Sequence, residues 1–293
     1  MHRHLVAGYD GSPDARAASR WAAAEAVRRD VELLVVTSCS APMVSAMSSG
    51  AGRTLSARAL IERDRARGAV EAIVEELRGT HPGLVVSGHV LEGPPRRVLI
   101  EQAADAELLV VGIHGSGDDS HSPPATVARS LIHTSPCPVV LVPADGDPAG
   151  EVDGAPVLVA VDGTGKSVRA LEWAVDAAVR RGAPLTIVHV WRQQAHDVGS
   201  EEYEITHARA ARVLEDAMSH SQQRADVVVL QRLINGDAAR DLPTVTKDAE
   251  LVVVGSRVDH GLHVSTLGSV AEAVVAKARR PVAVVTASNT GGS

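Results

Sequence analysis

The sequence predicts an α/β protein built from two tandem doubly wound domains, each a five-stranded parallel sheet with helices on both faces. Three observations predict it. Short Val-rich apolar runs alternate with segments of helical period, the alternation occurs twice along 293 residues, and the two halves match at constant spacing. Short apolar runs are how strands buried on both faces read. Strand, helix, strand in repetition implies right-handed crossovers and a parallel sheet.

The repeat is visible in the residues themselves. The first copy begins Leu5-Val6-Ala7-Gly8-Tyr9-Asp10-Gly11-Ser12 and the second Leu158-Val159-Ala160-Val161-Asp162-Gly163-Thr164. Asp10 and Asp162, Trp21 and Trp173, and Arg28 and Arg180 each stand 152 positions apart. Later the spacing is 143, as in Gly93 and Gly236, Gly112 and Gly255, and Pro138 and Pro281. The first copy therefore carries nine extra residues before Gly93, and the Ser/Gly/Ala-rich stretch from Ser45 to Gly52 is where a loop insertion is expected. Between the copies, 145–154 is rich in Gly, Pro and Asp and reads as a linker. The expected organisation is a first domain over 1–144, the linker over 145–154, and a second domain over 155–293.

Within the first copy, strands are expected at 4–9, 31–37, 84–91, 107–113 and 138–142. In the second they are expected at 157–161, 185–191, 226–233, 250–255 and 281–286. A helix is expected from Ala15 to Arg29, with Ala18, Trp21, Ala22 and Ala26 at helical spacing. Another runs from Ser56 to Leu77, with Leu60, Ile61, Ala69, Val70, Ile73 and Leu77. The last strands of the two copies would be apolar sheet edges with unpaired backbone groups.

Composition bounds the function. Hydrophobic residues make up 45% and charged residues 22%, which suits a packed core. With no Phe, 3 Trp and 2 Tyr, that core must rest on Val, Leu, Ile and Ala. A net charge of −7 argues against sequence-independent binding of nucleic acid, which needs clustered cations. Arg28–Arg29 and Arg180–Arg181 fall late in predicted helices, where positive charge complements the helix dipole. The N-terminal run is too short for a signal peptide and no stretch is long enough to span a membrane, so a cytoplasmic protein without membrane partners is expected. Cys39 and Cys137, far apart, read as buried or half-buried thiols rather than a disulfide framework or zinc site.

In a doubly wound fold, ligands bind beyond the C-terminal strand ends where strand order reverses. The turns after strands one and four are therefore the places to look. After strand one stand Gly8 and Asp10-Gly11-Ser12-Pro13, and in the second copy Asp162-Gly163-Thr164-Gly165. Ser12 can cap the following helix, with Pro13 at its first position. Asp10 and Asp162 fit two roles equally, a turn-making Asp bonded to nearby amides or a polar hook for a sugar or base. After strand four the first copy reads Gly112-Ile113-His114-Gly115, nine residues, then Ala125-Thr126. The second reads Gly255-Ser256-Arg257-Val258, nine residues, then Gly268-Ser269. Glycines would let the backbone approach an anion, and a Ser or Thr opens a helix whose free amides face it.

This pattern resembles the universal stress protein family, which has Gly, two residues, Gly, nine residues, then Gly and Ser or Thr after strand four. A helix opened by Val and a Pro-Val-rich last strand follow in that family, as Val270 and Pro281-Val282-Ala283-Val284-Val285 do here, and Val127 and Pro138-Val139-Val140 in the first copy. The early Asp10-Gly11-Ser12 also matches. The resemblance covers nearly the whole chain, twice, and it implies that the two edge strands pair, placing the copies about a pseudo-two-fold axis. It implies a stress-response protein, often a homodimer, that binds ATP with or without Mg2+ and acts as a regulatory module on a protein partner rather than as an enzyme. The implied nucleotide-binding residues are Gly8, Asp10, Gly112, Gly115, Ala125, Thr126, Asp162, Gly255, Val258, Gly268 and Ser269. Ala125 stands where the last glycine is expected in the first copy, and Val258 where the middle one is expected in the second. A β-branched residue is disfavoured at positive φ, so the first copy is expected to be the nucleotide holder.

Two alternatives belong to other classes. One is a degenerate stress protein that holds no nucleotide and acts through its surfaces. The other is a weak ATPase, or a phosphotransferase using a phosphate loop. Ala160-Val161-Asp162-Gly163-Thr164-Gly165-Lys166-Ser167 looks like such a loop, but Ala160 replaces its first glycine and the matched segment of the first copy has no Lys. Histidines number 13, yet none falls at metal-ligand spacing. His114 and His263 could reach a phosphate, although loop histidines on a surface are the commoner case. No Ser-His-Asp arrangement or carboxylate cluster marks a catalytic site.

Overall fold

The computed structural model describes residues 3–39, 57–116, 126–144, 154–193, 199–224, 227–256 and 268–286. Two βαβαβαβαβ units follow one another. The first contains β1 (His4–Gly8), α1 (Pro13–Arg29), β2 (Glu32–Cys39), α2 (Ala57–Thr80), β3 (Val86–Glu92), α3 (Pro95–Gln102), β4 (Leu108–Gly112), α4 (Thr126–Thr134) and β5 (Val139–Val142). The second contains β6 (Val157–Ala160), α5 (Gly165–Arg181), β7 (Leu185–Trp191), α6 (Glu201–Arg224), β8 (Val229–Asn235), α7 (Ala238–Val245), β9 (Leu251–Gly255), α8 (Ser269–Ala276) and β10 (Val282–Val285).

The ten strands form one sheet in the order β3-β2-β1-β4-β5-β10-β9-β6-β7-β8. All neighbours within a copy are parallel, and the strand order reverses between β1 and β4 and between β6 and β9. At the seam, β5 and β10 run antiparallel, with Val282 opposite Leu141, Ala283 opposite Val140 and Val284 opposite Val139. The two apolar edges pair with each other, as the resemblance implies, which satisfies the backbone groups each would leave unpaired.

Helices cover both faces. On one, α1, α2, α5 and α6 pack in a layer that includes Ala18, Trp21, Ala22, Ala26, Ile73, Leu77, Ala174 and Leu214. On the other lies a layer that includes Leu99, Leu131, Ile132, Leu242, Val274 and Val275. Each layer runs across the seam, so both copies share both halves of the core. Val, Leu, Ile and Ala supply nearly all of it, as the missing phenylalanines require.

Local signals place the helix ends. Ser12 accepts a hydrogen bond from the Ala15 amide at 3.1 Å and Pro13 opens α1, as expected. At the far end Asp30 takes the left-handed conformation, φ 54°, and its counterpart Gly182 does the same, φ 61°. The nine-residue insertion divides. Both α2 and α6 have 24 residues and start at Ala57 and Glu201, so eight extra residues precede α2 and one lies between α2 and β3. The stretch 45–52, expected as the insertion loop, lies outside the described residues.

Both cysteines are free, Cys137 buried and Cys39 half-buried. Burial pushes the Cys137 thiol up to about 11, against the pull of hydrogen bonds from its surroundings. At neutral pH, native protein treated with iodoacetamide should therefore be labelled at Cys137 only after unfolding. Labelling of native Cys137, read by peptide mass spectrometry, would contradict this burial.

Candidate functional site

β1 and β4 are neighbours whose helices leave toward opposite faces, which opens a crevice beyond their C-terminal ends. In the first copy it is about 530 Å3, lined by Gly8, Asp10, Gly112, His114, Gly115 and Ser116 from the strand ends, and by Thr37, Ser38 and Arg65 from the β2 and α2 side. Of the residues the sequence assigned to this copy, Gly8, Asp10, Gly112 and Gly115 meet here. Thr126 opens α4, whose next residues Val127 and Ala128 line the crevice. Ala125 lies outside the described residues.

The two strand-end glycines have a packing role that spacing does not reveal. A Cβ at Gly112 would stand 2.7 Å from Asp14 Cβ and 2.8 Å from the Ala15 nitrogen, so the first turn of α1 sits directly on the end of β4. A Cβ at Gly8 would press on Val111 and Leu99 at 3.0–3.2 Å. Gly112→Ala should therefore cost about 1–3 kcal/mol by overpacking, read as a lower urea midpoint with an unchanged slope. A midpoint equal to that of the wild type would show that α1 can move away freely.

Asp10 acts as a turn-maker and a tie. One oxygen accepts the Ser12 amide at 2.9 Å, and the other accepts the Ser116 amide at 2.8 Å across the crevice. Gly11 follows at φ 82° and Gly163, its counterpart, at φ 76°, a conformation that only glycine takes without strain. Asp14, unremarked in the sequence, is the second tie. Buried in the first turn of α1, it accepts from the His114 amide and ring Nδ1, both at 2.9 Å, and from the Ala144 amide at 3.0 Å. His114 is thus no surface histidine; its side chain is 15% exposed, hydrogen-bonded to Asp14, and held at the crevice wall. The negative end of Asp14 sits at the N-terminus of α1, where the helix dipole favours it. Arg65 supplies the exposed cation at the rim.

The second copy differs. Its cavity is about 110 Å3 and is lined by Asp162, Thr164, Gly255, Ser256, Gly268 and Ser269 among others. Asp162 turns back on Thr164, accepting from its amide at 3.0 Å and its hydroxyl at 2.6 Å. The buried Ser256 hydroxyl has no hydrogen-bond partner among the described residues. Lys166 stands at the position of Asp14, and Arg209, the counterpart of Arg65, is not among the lining residues. Val258 and His263 lie outside the described residues. Three amides of the segment that looks like a phosphate loop are committed elsewhere: Val161 donates to the Val188 carbonyl, Thr164 to Asp162, and Ser167 to the Thr164 carbonyl. An anion would have to displace these bonds.

A family model described as the universal stress protein family matches residues 1–143 and again 155–286. The chain belongs to that family. A universal stress protein of Mycolicibacterium smegmatis is 34% identical over 293 residues, covering 96% of each chain. Universal stress protein Rv2623 of Mycobacterium tuberculosis is 31% identical over 297 residues, covering 98% of this chain and 97% of its own. A universal stress protein structure from Archaeoglobus fulgidus superposes with a TM-score of 0.68 at 18% identity, over 97% of this chain and 96% of that one, and so shares the tandem fold.

Within this universal stress protein the two copies keep the same turns but differ in what surrounds them. Sequence reasoning found the turn residues because their signals are local. It missed Asp14 and Arg65, whose partners and neighbours lie far along the chain; the change from Asp14 to Lys166 between copies was the one visible sign that this position sets the sites apart.

Proposed function

We propose that this universal stress protein is a non-catalytic stress-response module that holds one adenine nucleotide, ATP, in the crevice of its first copy. The observation that carries this reading is the open crevice of about 530 Å3 at the strand-order reversal, with Arg65 at its rim. That volume lies within the range of about 300–1,000 Å3 usual for small-molecule sites, whereas the second cavity falls below it. Gly8, Gly112 and Gly115 line the crevice, and the exposed Arg65 guanidinium suits phosphate oxygens. Thr37 and Ser38 offer hydroxyls for a sugar or base. Among the described residues no group of three or more His, Cys, Asp or Glu could cage a metal ion, so Mg2+ would arrive on the nucleotide's phosphates. The domains are read as 1–144 and 155–293, joined by a linker over 145–154, in a cytoplasmic protein; among the described residues no helix is long and apolar enough to cross a membrane.

Calorimetric titration with ATP tests the site. Wild type should bind one equivalent. Arg65→Ala should weaken binding about tenfold or more, the loss of one charge-assisted contact, and Gly115→Val should abolish it. Unchanged binding in both variants would place the nucleotide elsewhere, and no binding by wild type would leave the first copy without this role.

A further inference from the structure

The seam between the copies is nearly symmetric, and its departures from symmetry are informative. On one face α1 meets α5. Arg29 lies over the Trp173 ring and Arg181 over the Trp21 ring, each with its guanidinium carbon 5.5 Å from the ring centre. Each arginine also meets an acid of its own copy, Arg29 with Glu107 at 3.6 Å and Arg181 with Glu250 at 3.0 Å. Trp21 and Trp173, Arg29 and Arg181, and Glu107 and Glu250 are equivalent pairs of the repeat. So far the pseudo-two-fold axis holds.

Glu25 breaks it. Its carboxylate is fully buried and bridges Arg29 at 2.6 Å and Arg181, of the other copy, at 2.5 Å. The equivalent residue of the second copy is Ala177, also fully buried. One carboxylate therefore serves two buried guanidinium groups. On the opposite face, Arg129 of α4 pairs with Glu272 of α8. These two are equivalent to each other, so the axis sets an arginine against a glutamate at a single repeat position.

We infer that these residues form a pairing code, so that the edge strand of each copy accepts only the opposite copy and not a second copy of its own kind. The backbones do not discriminate, because β5 and β10 are both four-residue strands of apolar residues. The side chains do. Two first copies would bury two Glu25 carboxylates together and set Arg129 against Arg129. Two second copies would bury both Arg181 guanidinium groups without a carboxylate from position 177 and set Glu272 against Glu272. Crowding like charges together, or leaving the second copy's arginines without the shared carboxylate, is what makes such pairs costly, and a juxtaposed repulsion is how an interface rejects a wrong partner. The partner that fits this edge is thus a chain carrying the complementary charges, found in the other half of this same protein.

The test uses the full chain with a protease-cleavable sequence placed in the 145–154 linker. The cut protein is unfolded in urea, refolded and weighed by native mass spectrometry. Only the complex of one first and one second half should appear; like-with-like complexes in statistical proportion would overturn the code. The cause is tested by moving the carboxylate. Glu25→Ala should lower the yield of the mixed complex several-fold. Adding Ala177→Glu should restore it, because the axis carries position 177 onto the place of position 25. Failure of the double variant to restore the complex would overturn the role of Glu25. If Glu25→Ala does not refold, Arg129→Glu with and without Glu272→Arg gives the same readout on an exposed pair: a smaller drop in mixed pairing in the single variant, recovery in the double. No recovery would again overturn the proposal.

Discussion

Val284→Asp is expected to collapse the joint between the copies, at a cost of at least about 4 kcal/mol. Val284 is 1% exposed, pairs with Val139 across the seam and with Val254 in the parallel direction, and points into the layer formed with Leu131, Ile132 and Val274. A carboxylate there has neither water nor a cation, and the two edge strands lose the apolar contact that covers their backbone hydrogen bonds. Val284→Thr, of the same shape, is the control and should cost much less. Limited proteolysis and urea denaturation give the result. If Val284→Asp leaves the halves locked together and the midpoint unmoved, the seam contributes little to holding the chain.

Glu25→Gln is expected to cost about 3–5 kcal/mol, the penalty for breaking a buried ion pair from one side. The arginines stay buried while their shared counter-charge is gone. The same residue gives the stability a pH signature. Burial alone would raise the Glu25 pKa, but Arg181 and Arg29 outweigh it and hold the carboxyl below its ordinary 4.5. A carboxyl lowered in the folded state stabilises above its unfolded pKa, and that contribution is lost as pH falls through the folded value. Wild-type stability should therefore decline below about pH 4.5 in a step that Glu25→Gln lacks. Parallel acid profiles for the two proteins, measured by urea midpoints, would show that Glu25 is not ionised at the seam.

The contrast between these arginines as sequence and as structure shows where local reasoning stops. Arg28–Arg29 and Arg180–Arg181 read as cations at helix C-termini, and they do occupy the last turns of α1 and α5. But the Arg29 side chain is only 5% exposed and that of Arg181 1%; each lies over a tryptophan of the other copy, and Arg181 also takes its buried carboxylate, Glu25, from across the seam. A helix terminus can be recognised from its own residues. The face it buries depends on which strand lies beside it.

The same division runs through the site. The amino-acid sequence alone determined the repeat, the parallel sheets, the Ser12-Pro13 helix start, and the turns at Asp10 and Asp162, because periodicity, capping and turn chemistry act over a few residues. Only the tertiary structure decided that Gly8 and Gly112 admit helices, that Asp14 binds His114 and Ala144 from 100 and 130 positions away, that Arg65 stands at the crevice rim, and that Glu25 joins the copies. Each of these depends on segments brought together by strand order and by the stacking of helices on a sheet face. Such contacts join residues of unrelated spacing, so no local pattern along the chain carries them.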